Sequence, residues 1–210
     1  TVMPVLELVL GREETVVSQA GAMKWKDSSV EMETRMPGGI GGFLKRAISQ
    51  ESVFLNYFRS RGAGGRVAFG HPYPGTIIPI AVHRDSLICQ KRSFLCSESS
   101  VNFDIVFQKR LGTAFFGGEG LIMQELSGSG TAFVEADGEV ITLNLSRGET
   151  IQVETGAVAM YDSTVEMDIE MVRGVSNVLF GGEGLFLTTL TGPGRVWIQT
   201  LSIQALAREL

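Results

Sequence analysis

The chain is poor in the residues from which metal and redox centres are built. Its 210 residues include two cysteines and two histidines, and the spacing of Cys89 and Cys96 matches no zinc ribbon, haem or dithiol motif. His71 falls in a loop and His83 at a predicted strand start, without the paired spacing of metal ligands. No serine lies in Gly-x-Ser-x-Gly beside a base that would activate it. The Lys and Ser/Thr that complete a P-loop are missing, as is a dinucleotide-binding strand–turn–helix unit. No catalytic residue, resident metal or cofactor is therefore expected, and the chain reads as a non-enzyme. Long apolar runs are missing too, since none approaches the roughly 20 residues that a membrane-spanning helix needs. The opening Thr1-Val2-Met3-Pro4 lacks a signal peptide's basic end and apolar centre. Positive charge is in the minority: the formal net charge of −5 disfavours a nucleic-acid partner, whose phosphates are neutralised by Lys and Arg.

What the chain has is hydrophobicity and repetition. A 44% hydrophobic content excludes wholesale disorder. The hexapeptide Phe-Gly-Gly-Glu-Gly-Leu occurs at Phe116 to Leu121 and again at Phe180 to Leu185. At that spacing, 180 − 116 = 64 residues, Val101 falls on Val165, Asp104 on Asp168, Leu126 on Leu190 and Gly128 on Gly192. A third copy lies near the start, where Glu14, Gly21, Asp27, Val30 and Met32 recur 135 positions later as Glu149, Gly156, Asp162, Val165 and Met167. Repetition on this scale marks supersecondary units that bury their apolar faces against neighbours. Three modules follow, 1–72, 73–138 and 139–210, separated by the turn chemistry of His71 to Gly75 and Glu135 to Gly138.

The local pattern is β. Val165 to Met171 alternates apolar and acidic side chains, as do Val30 to Glu33 and Val101 to Ile105, which predicts strands with one buried and one wet face. The acidic ladder of Glu31, Glu33, Asp104, Glu166, Asp168 and Glu170 then reads as a solvated face rather than a Ca²⁺ or Mg²⁺ site. Later in each module two β-rich runs flank a Gly cluster: Gly62 to Gly65, Ser127 to Gly130 and Thr191 to Gly194. This predicts three hairpins. A helical turn is expected over Phe43 to Ile48 and a short helical tail over Ser202 to Leu210.

The repeated glycines Gly117, Gly118, Gly120, Gly181, Gly182 and Gly184 permit close backbone approach and an anion-binding nest. In the first module, however, Ser49 to Leu55 replaces the glycines and keeps the acid, so Glu51, Glu119 and Glu183 correspond. A carboxylate kept in every copy serves each copy's fold, and the motif reads as a structural turn. The basic pairs Lys45 and Arg46, and Lys109 and Arg110, occupy comparable places in two modules. They read first as solvated turns and second as the binding candidates for a phosphate or acidic lipid. Cys89 aligns with Val153, and Cys96 with Met160 and Trp25, so both thiols are expected in the core of a protein in a reducing compartment.

Taken together, Gly21-Ala22-Met23, Val30 to Glu33, Phe54-Leu55-Asn56, Pro72 to Gly75, both hexapeptides and Leu190 to Trp197 resemble the altered-inheritance-of-mitochondria protein 24 family over nearly the whole chain. The resemblance implies an all-β, antiparallel β-sandwich fold related to the tryptophan RNA-binding attenuation protein, a short double-stranded β-helix-like module repeated in one chain. It also implies assembly into trimers or rings. No transit peptide is seen, so a prokaryotic, cytoplasmic member is expected. The attenuation protein's tryptophan- and RNA-binding motifs match no positions here, and the resemblance therefore carries over no ligand site. The expected function is an oligomeric scaffold or assembly protein, with a small-ligand or polyanion-binding module (RNA or anionic lipid) as the alternative. A peripheral membrane association is compatible with that alternative, without further support in the sequence.

Overall fold

A computed structural model describes residues 3–35, 54–70, 72–83, 85–108, 121–171 and 186–202. Among the described residues the strands fall into three repeating sets of six, called modules below. The first has β1 (Leu6–Leu10), β2 (Thr15–Gln19), β3 (Met23–Lys26), β4 (Val30–Arg35), β5 (Leu55–Ser60) and β6 (Gly65–Phe69). The second has β7 (Gly75–Val82), β8 (Leu87–Gln90), β9 (Phe94–Glu98), β10 (Val101–Gln108), β11 (Leu121–Gly128) and β12 (Gly130–Asp137). The third has β13 (Val140–Leu145), β14 (Thr150–Glu154), β15 (Val158–Asp162), β16 (Glu166–Met171), β17 (Phe186–Thr191) and β18 (Gly194–Gln199). A single 3₁₀ turn, Thr155–Ala157, separates β14 from β15.

The same pairing recurs in every module. The first strand pairs with the sixth and the sixth with the third, while the fourth pairs with the fifth and the fifth with the second. Each module is thus two antiparallel three-stranded sheets. Neighbouring modules fuse these sheets: β2 pairs with β9, and β8 with β15. The result is four sheets, β1-β6-β3 (sheet A), β4-β5-β2-β9-β12-β7 (sheet B), β10-β11-β8-β15-β18-β13 (sheet C) and β14-β17-β16 (sheet D).

The alternation read from the sequence holds in β16, where Ile169 is buried and Glu166, Asp168 and Glu170 are exposed. It weakens in β4, the outermost strand of sheet B. There Val30 is fully buried but Met32 is exposed.

The three expected hairpins are not formed. β5 and β6 lie in sheets B and A, β11 and β12 in C and B, and β17 and β18 in D and C. Each Gly cluster carries the chain from one layer of a sandwich to the other. Gly64, at φ +113°, shows why glycine is needed there, because a Cβ would lie 2.5 Å from the Leu10 carbonyl oxygen. A cluster of turn residues signals that the chain reverses, not the plane in which it does so. A smaller correction concerns His83, which follows the end of β7 rather than starting a strand.

An apolar cluster fills each successive gap between sheets. Between A and B lie Leu10, Val16, Val30, Phe58, Val67 and Phe69, joined by Leu95 and Cys96. Between B and C lie Val17, Ile80, Phe94, Ile105 and Leu126, joined by Ala159 and Met160. Between C and D lie Met123, Leu145, Tyr161, Val165, Leu190 and Val196. The predicted tail over 203–210 and the helical turn over 43–48 lie outside the described residues.

Candidate functional site

The most distinctive local chemistry is a carboxylate at the end of the third strand of each module. Asp27, Glu98 and Asp162 stand in the repeat register, since 162 − 64 = 98 and 162 − 135 = 27. Each accepts a hydrogen bond from the backbone N–H of the sixth strand's second residue: Arg66 to Asp27 at 3.0 Å, Thr131 to Glu98 at 3.1 Å and Arg195 to Asp162 at 2.8 Å. In the outer modules that residue is an arginine, which also grips the carboxylate through its side chain. Arg195 does so in a fork, Nε to Oδ2 at 2.9 Å and Nη2 to Oδ1 at 2.9 Å, the geometry that favours Arg over Lys. Arg66 and Arg195 then cover the faces of Trp25 and Trp197, at 5.1 and 4.8 Å from the ring centroids. Hydrogen bonding from Arg66 holds the Asp27 carboxyl below the usual carboxylate range.

These carboxylates are structural ties, locking the end of one strand onto the start of another. Asp162→Asn is expected to lower the unfolding free energy by about 1.5 kcal/mol, the low end for losing hydrogen bonds to a charged group, since the Arg195 side is exposed. Denaturant unfolding would measure it, and an unchanged midpoint would refute the tie. The repeat register had already aligned Asp27 with Asp162, so the signal was present in the sequence. A second repeated tie joins the first and second strands, with Glu14 accepting from the Gly11 N–H at 2.6 Å and Glu149 from the Ser146 N–H at 2.8 Å.

The seams between modules are paired strand to strand. At the first, Val16 faces Glu98, Val17 faces Ser97 and Ser18 faces Cys96. At the second, Leu87 faces Asp162, Ile88 faces Tyr161 and Cys89 faces Met160. Both cysteines are free and buried, as the register predicted, and burial pushes their thiols up, which leaves them unreactive. Gln199 crosses the second seam, its Nε2 donating to the Gln90 Oε1 at 3.0 Å while its own Oε1 accepts from the Asp137 N–H at 3.0 Å. The corresponding residue of module 2 is Glu135 (199 − 64 = 135). It is 6% exposed, and burial pushes its carboxyl up to about 8, against the pull of Lys24 and with the help of Asp137.

Among the described residues no group of three or more His, Cys, Asp or Glu side chains could hold a metal ion. The acidic ladder is instead spread over β4, β10 and β16, with Glu31 paired to Arg61 at 2.6 Å and Glu33 to Arg35 at 2.6 Å. A groove beside β1 and β7, lined by Val5, Leu6, Ile77, Pro79 and Phe133, has no charged side chain in its wall. The binding candidates Lys45, Arg46, Lys109 and Arg110 lie outside the described residues, as do Glu51, Gly117, Gly118, Glu119, Gly120, Gly181, Gly182, Glu183 and Gly184.

The family model described as mitochondrial biogenesis AIM24 matches residues 1–201. The chain belongs to the AIM24 family. No curated protein matches the sequence. The fold of this AIM24-family chain is similar to the crystal structure of a protein from Streptococcus pyogenes, with a TM-score of 0.80 and 24% sequence identity over 100% of this chain and 94% of that one. At that identity the likeness speaks for the all-β fold, and neither comparison speaks to the attenuation-protein superfamily. No helix among the described residues is long and apolar enough to cross a membrane.

Proposed function

We propose that this AIM24-family chain is a non-enzymatic assembly protein, a homo-oligomeric β-scaffold of trimer or ring type built from the modules 1–72, 73–138 and 139–210. One observation supports the reading above the rest. The inner sheets B and C have six strands, whereas the end sheets A and D have three, so the chain ends in strand edges unpaired among the described residues. An unpaired edge is a template for another strand, and repeated modules that pair twice within one chain have the means to pair again. The free, buried thiols suit a reducing, cytoplasmic setting.

The polyanion alternative rests on Lys45, Arg46, Lys109 and Arg110, and nothing in the described seams favours it. Multi-angle light scattering at micromolar concentration tests the assembly reading. A mass that is a multiple of 22.7 kDa is expected, and a single-chain mass at every concentration would overturn it.

A further inference from the structure

We infer that β14 of one copy pairs antiparallel with β3 of the next, forming a third seam identical in plan to the two inside the chain. The inference rests on the assembly reading above and specifies its contact. Both existing seams join the second strand of one module to the third strand of the module that follows, β2 to β9 and β8 to β15. Among the described residues, the one second strand left without such a partner is β14, and the one third strand left is β3. Joining them would give the order β16-β17-β14-β3-β6-β1, which is the order of sheets B and C.

The cores carry the same message. In each existing seam, the following module's third strand adds two residues to the preceding module's core. Leu95 and Cys96 complete the cluster between sheets A and B, and Ala159 and Met160 the cluster between B and C. Among the described residues the cluster between C and D receives no such pair, and Ile151 and Val153 of β14 lie against it only half-buried. In the repeat register the missing residues are Lys24 and Trp25, since 159 − 135 = 24 and 160 − 135 = 25. Cys96 and Met160 are 0% exposed, whereas Trp25 is 38% exposed. An indole that keeps more than a third of its surface exposed, even with Arg66 over its ring, at a position closed in both sister modules marks a face to be covered, and β14 is the covering strand that the plan supplies. Val5 adds to this face. It is 57% exposed, while its counterpart Val140 packs against the core between B and C.

The register follows without adjustment. Val16 and Leu87 correspond to Ile151, Val17 and Ile88 to Gln152, and Ser18 and Cys89 to Val153. Transferring the observed pairs places Ile151 opposite Asp27, Gln152 opposite Lys26 and Val153 opposite Trp25. The charges are compatible, with Lys24 and Lys26 on β3 and Glu154 ending β14. Because the two edges differ, the contact is head-to-tail: each copy offers one of each, and the assembly closes into a ring or continues as a filament according to its rotation.

Cysteine cross-linking and mass together test the seam. The Trp25→Cys/Val153→Cys double variant should give a ladder of covalent multimers on oxidation. Either single variant alone should give none, and a mixture of the two should stop at dimers. Trp25→Asp should reduce the assembly to single chains of 22.7 kDa, and Ile151→Asp, on the opposite edge, should do the same if the first variant fails to fold. A wild-type oligomer that survives both aspartates and does not cross-link would overturn this seam and leave the assembly reading standing. Covalent dimers from one single variant would show like edges meeting and would also overturn it. A wild-type protein that is a monomer at every concentration removes both proposals.

Discussion

Raising the pH from about 5 to about 8 is expected to destabilise the wild-type chain progressively, and Glu135→Gln should flatten that dependence. The Glu135 carboxyl is pushed up to about 8 by burial on β12, where Lys24 of β3, Asp137 of its own strand and Cys96 of β9 are its charged and titratable neighbours. In the unfolded chain it titrates near the ordinary glutamate value of about 4.3. Below that pH both states hold the proton and the group costs nothing. Between the two values the unfolded chain ionises while the folded one keeps its proton, so the unfolded state gains stability with each step upward. The limiting slope is about 1.4 kcal/mol per pH unit, and above about 8 the full penalty is present and constant. Urea unfolding of both proteins at several pH values checks this. Parallel stability curves for the wild type and Glu135→Gln would disprove it.

Phe58→Ala is expected to cost about 3–5 kcal/mol, a large share of the roughly 5–15 kcal/mol by which domains are stable. Phe58 lies on β5, is 0% exposed and meets Phe69 of β6 edge to face, with ring centroids 5.3 Å apart and planes at 77°. It therefore bridges sheets B and A at the middle of the first sandwich. Truncation removes the transfer energy of the ring and leaves a cavity between two sheets that can close only in part. It also removes an aromatic pair worth about 0.5–1.5 kcal/mol beyond its area. The denaturation midpoint should fall with little change in slope. Phe58→Leu, which keeps most of the volume, should recover more than half of the loss. A midpoint within experimental error of the wild type for Phe58→Ala would refute the position's central role in packing.

Much of this architecture could be read before any coordinates. The alternation in Val165 to Met171 and the two offsets exposed strands and modules, because side-chain period and repetition are properties of the chain itself. Pairing is different. The runs around Gly62 to Gly65, Ser127 to Gly130 and Thr191 to Gly194 look like hairpins in sequence, yet each crosses between sheets, since a strand's face is local information and its neighbour is not. The site was legible in fragments. Trp25, Cys96 and Met160 align as one apolar position, but that two are sealed and one is part exposed depends on which module precedes. The basic pairs and, apart from Leu121, both hexapeptides lie outside the described residues. The Asp27, Glu98 and Asp162 ties carried a signal that only their shared hydrogen bond makes meaningful.

The sharing of strands also bears on how the chain comes apart. The middle module gives strands to both six-stranded sheets, whereas each outer module gives strands to one. In nearest-neighbour terms the centre has two stabilising interfaces and each end of an isolated chain has one. Opening should therefore spread inward from sheets A and D, and the amide protons of β8, β9 and β12 should be the last to exchange with solvent.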